Sequence, residues 1–363
     1  MDMPAPHDAA DPVVVLPAVA DAEHLTAMLR RAGVLGDGGV AGVVAATPFV
    51  KLRSRTFRLH LTYDGPAPDA PASVILKTGH LDPAGRPSYP NRNEVAFYRD
   101  VAPVLPDGVV PRCFEAREAT DVNSWHLLLE DLTQTHAIAT EWPLPPSFAQ
   151  CEAMVATLAR FHAAWWDDPR LGVSIGNWPG AEDWDRTRQH LAEQLAQFSD
   201  RFGEVMPPER RALHERLLDR APGLSRIRAR RHLTLVHGDA HTWNIFLPRP
   251  GIDDSARLFD WEAWSLDIAT DDLAYMMAML WYPDRRQRME RPLLDHYHVD
   301  LVRRGVRGYD RQALEDDYRL SALWLITRPV RQALGNIAPR VWWNNLERIW
   351  LAVDDLGCRA LLE

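Results

Sequence analysis

The hydrophobic period of this 363-residue chain changes once, and the change divides it in two. Between residues 40 and 130 apolar side chains recur at every second position. RTFRLHLTY sets Phe57, Leu59, Leu61 and Tyr63 on one face, the period of a half-buried strand. DGPAPDAP is turn chemistry, and ASVILK reads as the antiparallel return strand. NRNEVAFYRDVAP predicts a short helix with Asn91 or Asn93 as its cap, and strand-like runs follow near 109–115 and 125–130. After residue 145 the spacing is helical. PSFAQCEAMVATLARFHAAWW places Met154, Leu158, Phe161 and Trp165 one turn apart.

Further helices are expected near 182–202, 207–220, 268–282, 286–304, 311–332 and 343–357, with LTLV, WNIFL and ARLFD forming a strand-rich insert. Ahead of the strands, Asp21 caps an expected helix over AEHLTAMLRRAGVL that Gly36 would end. The fold class is therefore α+β. The expected layout is an N-terminal segment and helix (1–39), a small antiparallel sheet lobe with one main helix (40–130), and a larger, mainly helical lobe (131–363). All 14 tryptophans lie at or after Trp125, and they read first as core of the helical lobe.

Charge and cysteine usage narrow the partners. A net charge of −9 argues against nucleic acid, where a basic surface supplies most of the affinity. No stretch approaches 18 uninterrupted apolar residues, so no membrane span is expected. The N-terminus lacks a basic run and Pro17 interrupts its apolar stretch, which argues against a signal peptide. Cys113, Cys151 and Cys358 are odd in number and far apart, so a reducing, cytoplasmic setting is expected. Of 41 basic residues only Lys51 and Lys77 are lysines. Against an arginine background, a retained lysine marks a place where a compact ammonium and a planar fork are not equivalent.

The densest chemistry lies in LTLVHGDAHTWNIF and the ARLFDWE after it. An apolar strand ending at Val236 delivers His237, Gly238 and Asp239 into a loop. Asn244 begins another strand, and Asp260 ends the next one beyond a turn through Pro248, Pro250 and Gly251. Two carboxylates and a carboxamide thus converge at adjacent strand ends. Such hard oxygen groups suit Mg²⁺. Asp239 is then left to orient a nucleophile or take its proton.

These residues resemble a known pattern. Asp239, four residues and Asn244 have the spacing of the protein-kinase catalytic loop, and Asp260 stands where the kinase metal-binding Asp stands. Lys77 closes VILK as the nucleotide-anchoring lysine does, with Glu94 on the following helix as its expected ion-pair partner. HGDxHxxN, LARFHAAWW and a later DDLAY resemble the aminoglycoside phosphotransferase and choline-kinase-like superfamily of small-molecule kinases, across roughly residues 40–285.

The resemblance implies a bilobal protein-kinase-like fold using ATP and Mg²⁺ to phosphorylate a hydroxyl of a small molecule. Antibiotics, amino alcohols, sugars and nucleosides are the acceptor classes it leaves open. By the same resemblance Lys77 holds phosphates, Glu94 fixes its ammonium, Asp239 steers the acceptor proton, and Asn244 and Asp260 hold metal. LLLEDL resembles the hinge, where backbone groups near Glu130 and Leu132 would meet adenine.

Two departures stand out. Residues 49–56 contain no glycine, so Lys51, Arg53 or Ser54 would help hold phosphates there, and the glycine common in relatives is absent from SLDIATDDLAY. His237 reads as a residue that shapes the loop, and His162 as a packed histidine that supports it. His241 reads either as loop-forming or as approaching the phosphates. Two other functions compete: a metal hydrolase built on His237, Asp239, His241 and Asp260, and a catalytically silent binding protein of the same fold. Residues 251–300 hold eleven acids against five arginines, a bias that could suit a cationic acceptor.

Overall fold

The computed structural model describes residues 16–46, 49–50, 54–79, 92–119, 124–228, 232–335 and 337–363. They divide into two compact units. One takes in the chain up to Arg99 together with Pro111–Gln134; the other comprises Asp100–Val110 and Thr135–Glu363.

The first unit is built on an antiparallel sheet. Helix α1 (Ala22–Arg31) starts at Asp21, whose side chain accepts the His24 amide at 2.6 Å. It ends earlier than the sequence predicts, because Gly33 takes the left-handed conformation (φ 71°) that closes a helix, leaving Gly36 outside it. Strands β1 (Val40–Ala45), β2 (Phe49–Val50), β3 (Ser54–Tyr63), β4 (Ser73–Gly79), β5 (Cys113–Ala119) and β6 (Ser124–Glu130) follow, with α2 (Arg92–Ala96) between β4 and β5. The sheet order is β1-β3-β4-β6-β5, and β2 pairs with β3. The hairpin read from RTFRLHLTY and ASVILK is present: Phe57 pairs with Leu76 and Leu59 with Val74. The strand expected near 109–115 begins four residues later, at Cys113.

Alternation along β4 assigns its two faces. Val74 and Leu76 join Leu25, Met28 and Leu29 of α1, Phe57, Leu59 and Leu128 in one apolar cluster. A fully buried aliphatic side chain contributes about 1.5–3 kcal/mol, so this face holds α1 to the sheet. Lys77, the next residue, points to the opposite face. Glu115 of β5 also ties α1 down, accepting His24 Nε2 at 2.6 Å and Arg31 Nη2 at 2.8 Å.

After Thr135 the second unit continues with β7 (His136–Ile138) and α3 (Phe148–Ala164), then α4 (Ala181–Phe202) and α5 (Pro208–Arg228). Helix α5 runs through Pro222, beyond the end predicted near 220. The strand-rich insert is β8 (Leu233–Val236), β9 (Ile245–Pro248), β10 (Arg257–Leu258) and β11 (Ser265–Ile268). β8 pairs with β11, while β9 lies between β10 and β7. The C-terminal helices are α6 (Thr270–Ala274), α7 (Pro283–Arg303), α8 (Arg311–Trp324), α9 (Thr327–Leu334) and α10 (Pro339–Asp355).

The single helix expected over 311–332 is two. Pro329 has no amide to donate, and its ring excludes the carbonyl four residues back, at Leu325, where the helix breaks. Among the described residues no helix is long and apolar enough to cross a membrane. The three cysteines are free thiols. The α+β class, a sheet unit and a larger helical unit, is as the sequence predicts.

Candidate active site

In the first unit the chemistry gathers on the sheet face opposite α1. Lys77, paired in register with Thr56 and Leu127, is 7% exposed, and its Nζ lies 2.6 Å from Glu94 Oε2 on α2. Glu94 is 1% exposed. The pair expected from sequence order is therefore made. Ser54 opens β3 opposite Gly79, and its buried hydroxyl has no hydrogen-bond partner among the described residues. Lys51 and Arg53 lie outside the described residues.

At the end of β6, the Glu130 amide donates to the Arg112 carbonyl at 2.8 Å and its carboxylate accepts the Arg112 amide at 3.1 Å. Leu132 is buried. Between them Asp131 accepts Arg58 Nε at 2.6 Å, the Ser73 hydroxyl at 2.5 Å and the Thr133 amide at 3.0 Å. Burial alone would raise its carboxyl, but these hydrogen bonds hold it below the ordinary value.

In the second unit the loop after β8 is held from beneath. Asp272 of α6 is fully buried, and its two oxygens accept the amides of His237 at 2.7 Å and Gly238 at 2.9 Å. His162 of α3 donates to the same carboxylate from Nε2 at 3.1 Å, with its Nδ1 2.7 Å from the Tyr297 hydroxyl. Burial pushes the Asp272 carboxyl up, yet the hydrogen bond and charge of His162 and the amide bond from His237 outweigh it, leaving a net lowering. His162 thus supports the loop, as the sequence reading expects.

Gly238 is required by space as well as by backbone. Its φ is +75°, and a Cβ there would lie 2.2 Å from the Ala263 carbonyl oxygen. No side chain fits, which is why HGD cannot be HRD in this chain. His237 donates from Nε2 to the Phe259 carbonyl at 2.9 Å, its Nδ1 accepts the Asp239 amide at 3.3 Å, and its ring packs on Trp261 at 4.4 Å. Both ring nitrogens are committed to shaping the loop. The competing hydrolase cluster therefore loses one of its ligands.

Asp239 emerges from this scaffold with its side chain 33% exposed. Asn244 Nδ2 donates to its carbonyl at 3.1 Å and to its Oδ2 at 3.3 Å, and His241 Nε2 is 3.5 Å from that same oxygen. Because the Asn244 nitrogen is spent on Asp239, its Oδ1 is the atom left to meet a cation. The Nδ1 of His241 is buried without a partner among the described residues, and burial lowers the imidazole despite the nearby Asp239 charge. Asp260 follows β10 by two residues and holds φ +70°, a left-handed conformation rare for any residue with a Cβ. Such backbone outliers concentrate at ligand sites.

One member of the site has no counterpart in the sequence reading. Arg328, in the first turn of α9, donates Nη2 to Asp239 Oδ1 at 3.0 Å and Nη1 to the Gly238 carbonyl at 3.0 Å. Its guanidinium also lies 4.4 Å from the centre of the Tyr275 ring. Burial, followed by the Asp239 charge and only partly offset by Arg328, raises the Tyr275 phenol. Arg328 is 89 residues from Asp239 and carries no local motif. Asp272 was visible as part of DDLAY, although the spacing alone does not reveal what it holds.

The chain is similar to known proteins along most of its length. Residues 54–311 match the profile of the phosphotransferase enzyme family. Among solved structures, an assigned aminoglycoside phosphotransferase of Ralstonia eutropha JMP134 superposes with a TM-score of 0.56 at 15% identity, covering 93% of this chain and 98% of the other. The choline kinase of Cryptosporidium parvum gives 0.52 at 10% identity, over 93% and 95% of the two chains. The ethanolamine kinase of Plasmodium vivax gives 0.52 at 10% identity, over 90% and 85%. No curated protein matches the chain by sequence.

Proposed function

Because the chain belongs to the phosphotransferase enzyme family, we propose that it moves the γ-phosphoryl group of ATP to a hydroxyl of a small molecule. The observation that carries this reading is the Lys77–Glu94 pair. A buried ion pair is a poor device for stability, since desolvation offsets its attraction. Its value lies in holding an ammonium at one fixed point, where it meets phosphate oxygens.

The residues fit Mg·ATP by their chemistry. Asn244 Oδ1 and the Asp260 carboxylate are hard oxygen donors of the kind Mg²⁺ takes, and Lys77 and the Ser54 hydroxyl are donors of the kind phosphates take. The bound nucleotide supplies the phosphoryl group, and the cation with it neutralises developing charge. Asp239 accepts the acceptor's hydroxyl proton as the new O–P bond forms and the bond to the ADP leaving group breaks. Asp272, through the amides of His237 and Gly238, fixes where that carboxylate stands. Backbone groups at Glu130 and Leu132 are the proposed adenine contacts, Lys51 is a further phosphate contact, and a cytoplasmic location is part of the same reading.

The test is phosphoryl transfer from Mg·ATP to a mixed panel of hydroxyl compounds, read by mass spectrometry. Asp239→Asn should abolish product while still binding nucleotide. Full transfer by that variant would remove Asp239 from the mechanism. Bound zinc and nucleotide-independent hydrolysis would mark the hydrolase, and nucleotide binding without turnover the silent protein.

A further inference from the structure

The charge of Asp239 is met from outside its own loop. From His232 to Pro248 the chain holds no lysine or arginine. The loop cannot gain one at Gly238, where a Cβ would lie 2.2 Å from the Ala263 carbonyl oxygen. The cation comes instead from α9, 89 residues later, where Arg328 Nη2 donates to Asp239 Oδ1 at 3.0 Å.

This contact is more than an ion pair. The same guanidinium donates Nη1 to the Gly238 carbonyl, also at 3.0 Å, so one planar fork holds both the carboxylate and the peptide that carries it. The Tyr275 ring, itself 6% exposed, gives the cation a buried floor 4.4 Å away. The second carboxylate oxygen, Oδ2, takes a hydrogen bond from Asn244 Nδ2 at 3.3 Å and lies 3.5 Å from His241 Nε2. Each oxygen thus has a protein donor, and turning the carboxylate about its Cβ–Cγ bond breaks a contact. Arg328 supplies the shorter, charged one. The two side chains are still 25% and 33% exposed, which leaves room for a third partner at the carboxylate. An ion pair with that much solvent access adds little to stability. What it fixes is direction.

Resting on the phosphotransferase reading, we propose that Arg328 is a positioning residue. It holds the plane of the Asp239 carboxylate so that an oxygen faces the acceptor hydroxyl, and it acts through Asp239 without binding the acceptor. The hydroxyl proton passes to Asp239 as the O–P bond forms and the bond to ADP breaks. Arg328 keeps its own protons throughout, since a guanidinium donates hydrogen bonds but does not deprotonate in a protein.

The test measures phosphoryl transfer from Mg·ATP by the full chain, both to the hydroxyl compound that the panel identifies and to water as nucleotide hydrolysis. Urea denaturation and calorimetry of nucleotide binding run beside it. Arg328→Ala should lower kcat about 10²-fold, the cost of a reacting group misplaced by about 1 Å, with acceptor KM, nucleotide affinity and stability little changed. Arg328→Lys should regain part of kcat, because a point charge reaches Oδ1 but lacks the fixed fork that also holds the Gly238 carbonyl. Methylguanidinium added to Arg328→Ala should restore kcat further than methylammonium does. Unchanged kcat in Arg328→Ala overturns the inference, and so does a loss confined to acceptor KM, which would make Arg328 a binding group. A loss of activity that tracks a loss of stability, and that neither Arg328→Lys nor methylguanidinium repairs, overturns it in favour of a structural role. All three leave the phosphotransferase reading standing. Nucleotide bound with neither reaction in the parent chain also overturns the inference, and failure to bind nucleotide brings down the phosphotransferase reading itself.

Discussion

Asp272 accepts the backbone amide of His237 at 2.7 Å, and through this bond a buried carboxylate sets the position of the loop that carries Asp239. Asp272→Ala leaves the amides of His237 and Gly238, and His162, without their acceptor. Removing one partner of a buried charged network costs about 3–5 kcal/mol. Chemical denaturation should show a loss of that order, and phosphoryl transfer should fall with it. A variant as stable as the parent would separate the loop from Asp272.

The same carboxyl predicts a pH dependence. Its folded value is depressed, so its contribution to stability is complete above the ordinary carboxylate value of about 3.9 and disappears as pH falls through the lower, folded one. Unfolding free energies of the parent and Asp272→Asn, compared from neutral pH downward, should differ by a constant amount until about pH 4 and converge below it. A gap that persists unchanged into strong acid would contradict the assignment.

Gly238→Ala tests the close approach to Ala263. The substitution meets both a left-handed φ and a carbonyl oxygen 2.2 Å from the new Cβ. Backbone strain alone is about 1–3 kcal/mol, and relieving the clash must move the loop. Transfer should drop by at least tenfold, because each 1.36 kcal/mol added to the barrier is tenfold in rate. Normal activity in this variant would show that the loop has room the structure does not give it.

Lys77 and Glu94 should behave as a coupled pair. Lys77→Met or Glu94→Leu alone strands a buried charge and should destabilise by about 3–5 kcal/mol, whereas the double substitution should be far closer to neutral. A double-mutant cycle in urea measures this directly. Nucleotide affinity should fall whenever Lys77 is replaced, including in the stable double variant. Additive single effects would mean the two side chains do not depend on each other.

Much of the candidate site was readable from the letters because the proposed chemistry needs particular atoms in a particular order. Lys77, Glu94, Asp239, Asn244 and Asp260 could be picked out one by one, and the alternation in RTFRLHLTY gave the hairpin that carries Lys77. What escaped was local geometry and long-range company. Gly33 and Gly36 are the same letter, and only the backbone shows which of them closes α1. Pro222 lies within α5, whereas Pro329 accompanies the break between α8 and α9, so proline alone does not fix a helix end. That break sets Arg328 in a first helical turn, beside a carboxylate 89 residues earlier in the chain. No periodic pattern encodes such a meeting.

The scarcity of lysine has a practical side. Reagents that acylate primary amines can mark at most two side chains in this protein, Lys51 and Lys77. Lys77 is buried, with its Nζ 2.6 Å from Glu94 Oε2, so a reagent reaches it only when that contact opens. Its peptide therefore gains mass only as fast as the pair opens, which makes a clock of one residue. Slowing of that clock on adding nucleotide reads occupancy without any acceptor in hand. The same scarcity leaves lysine-directed crosslinkers almost nothing to join, so mapping this protein's neighbours calls for chemistry aimed at carboxylates.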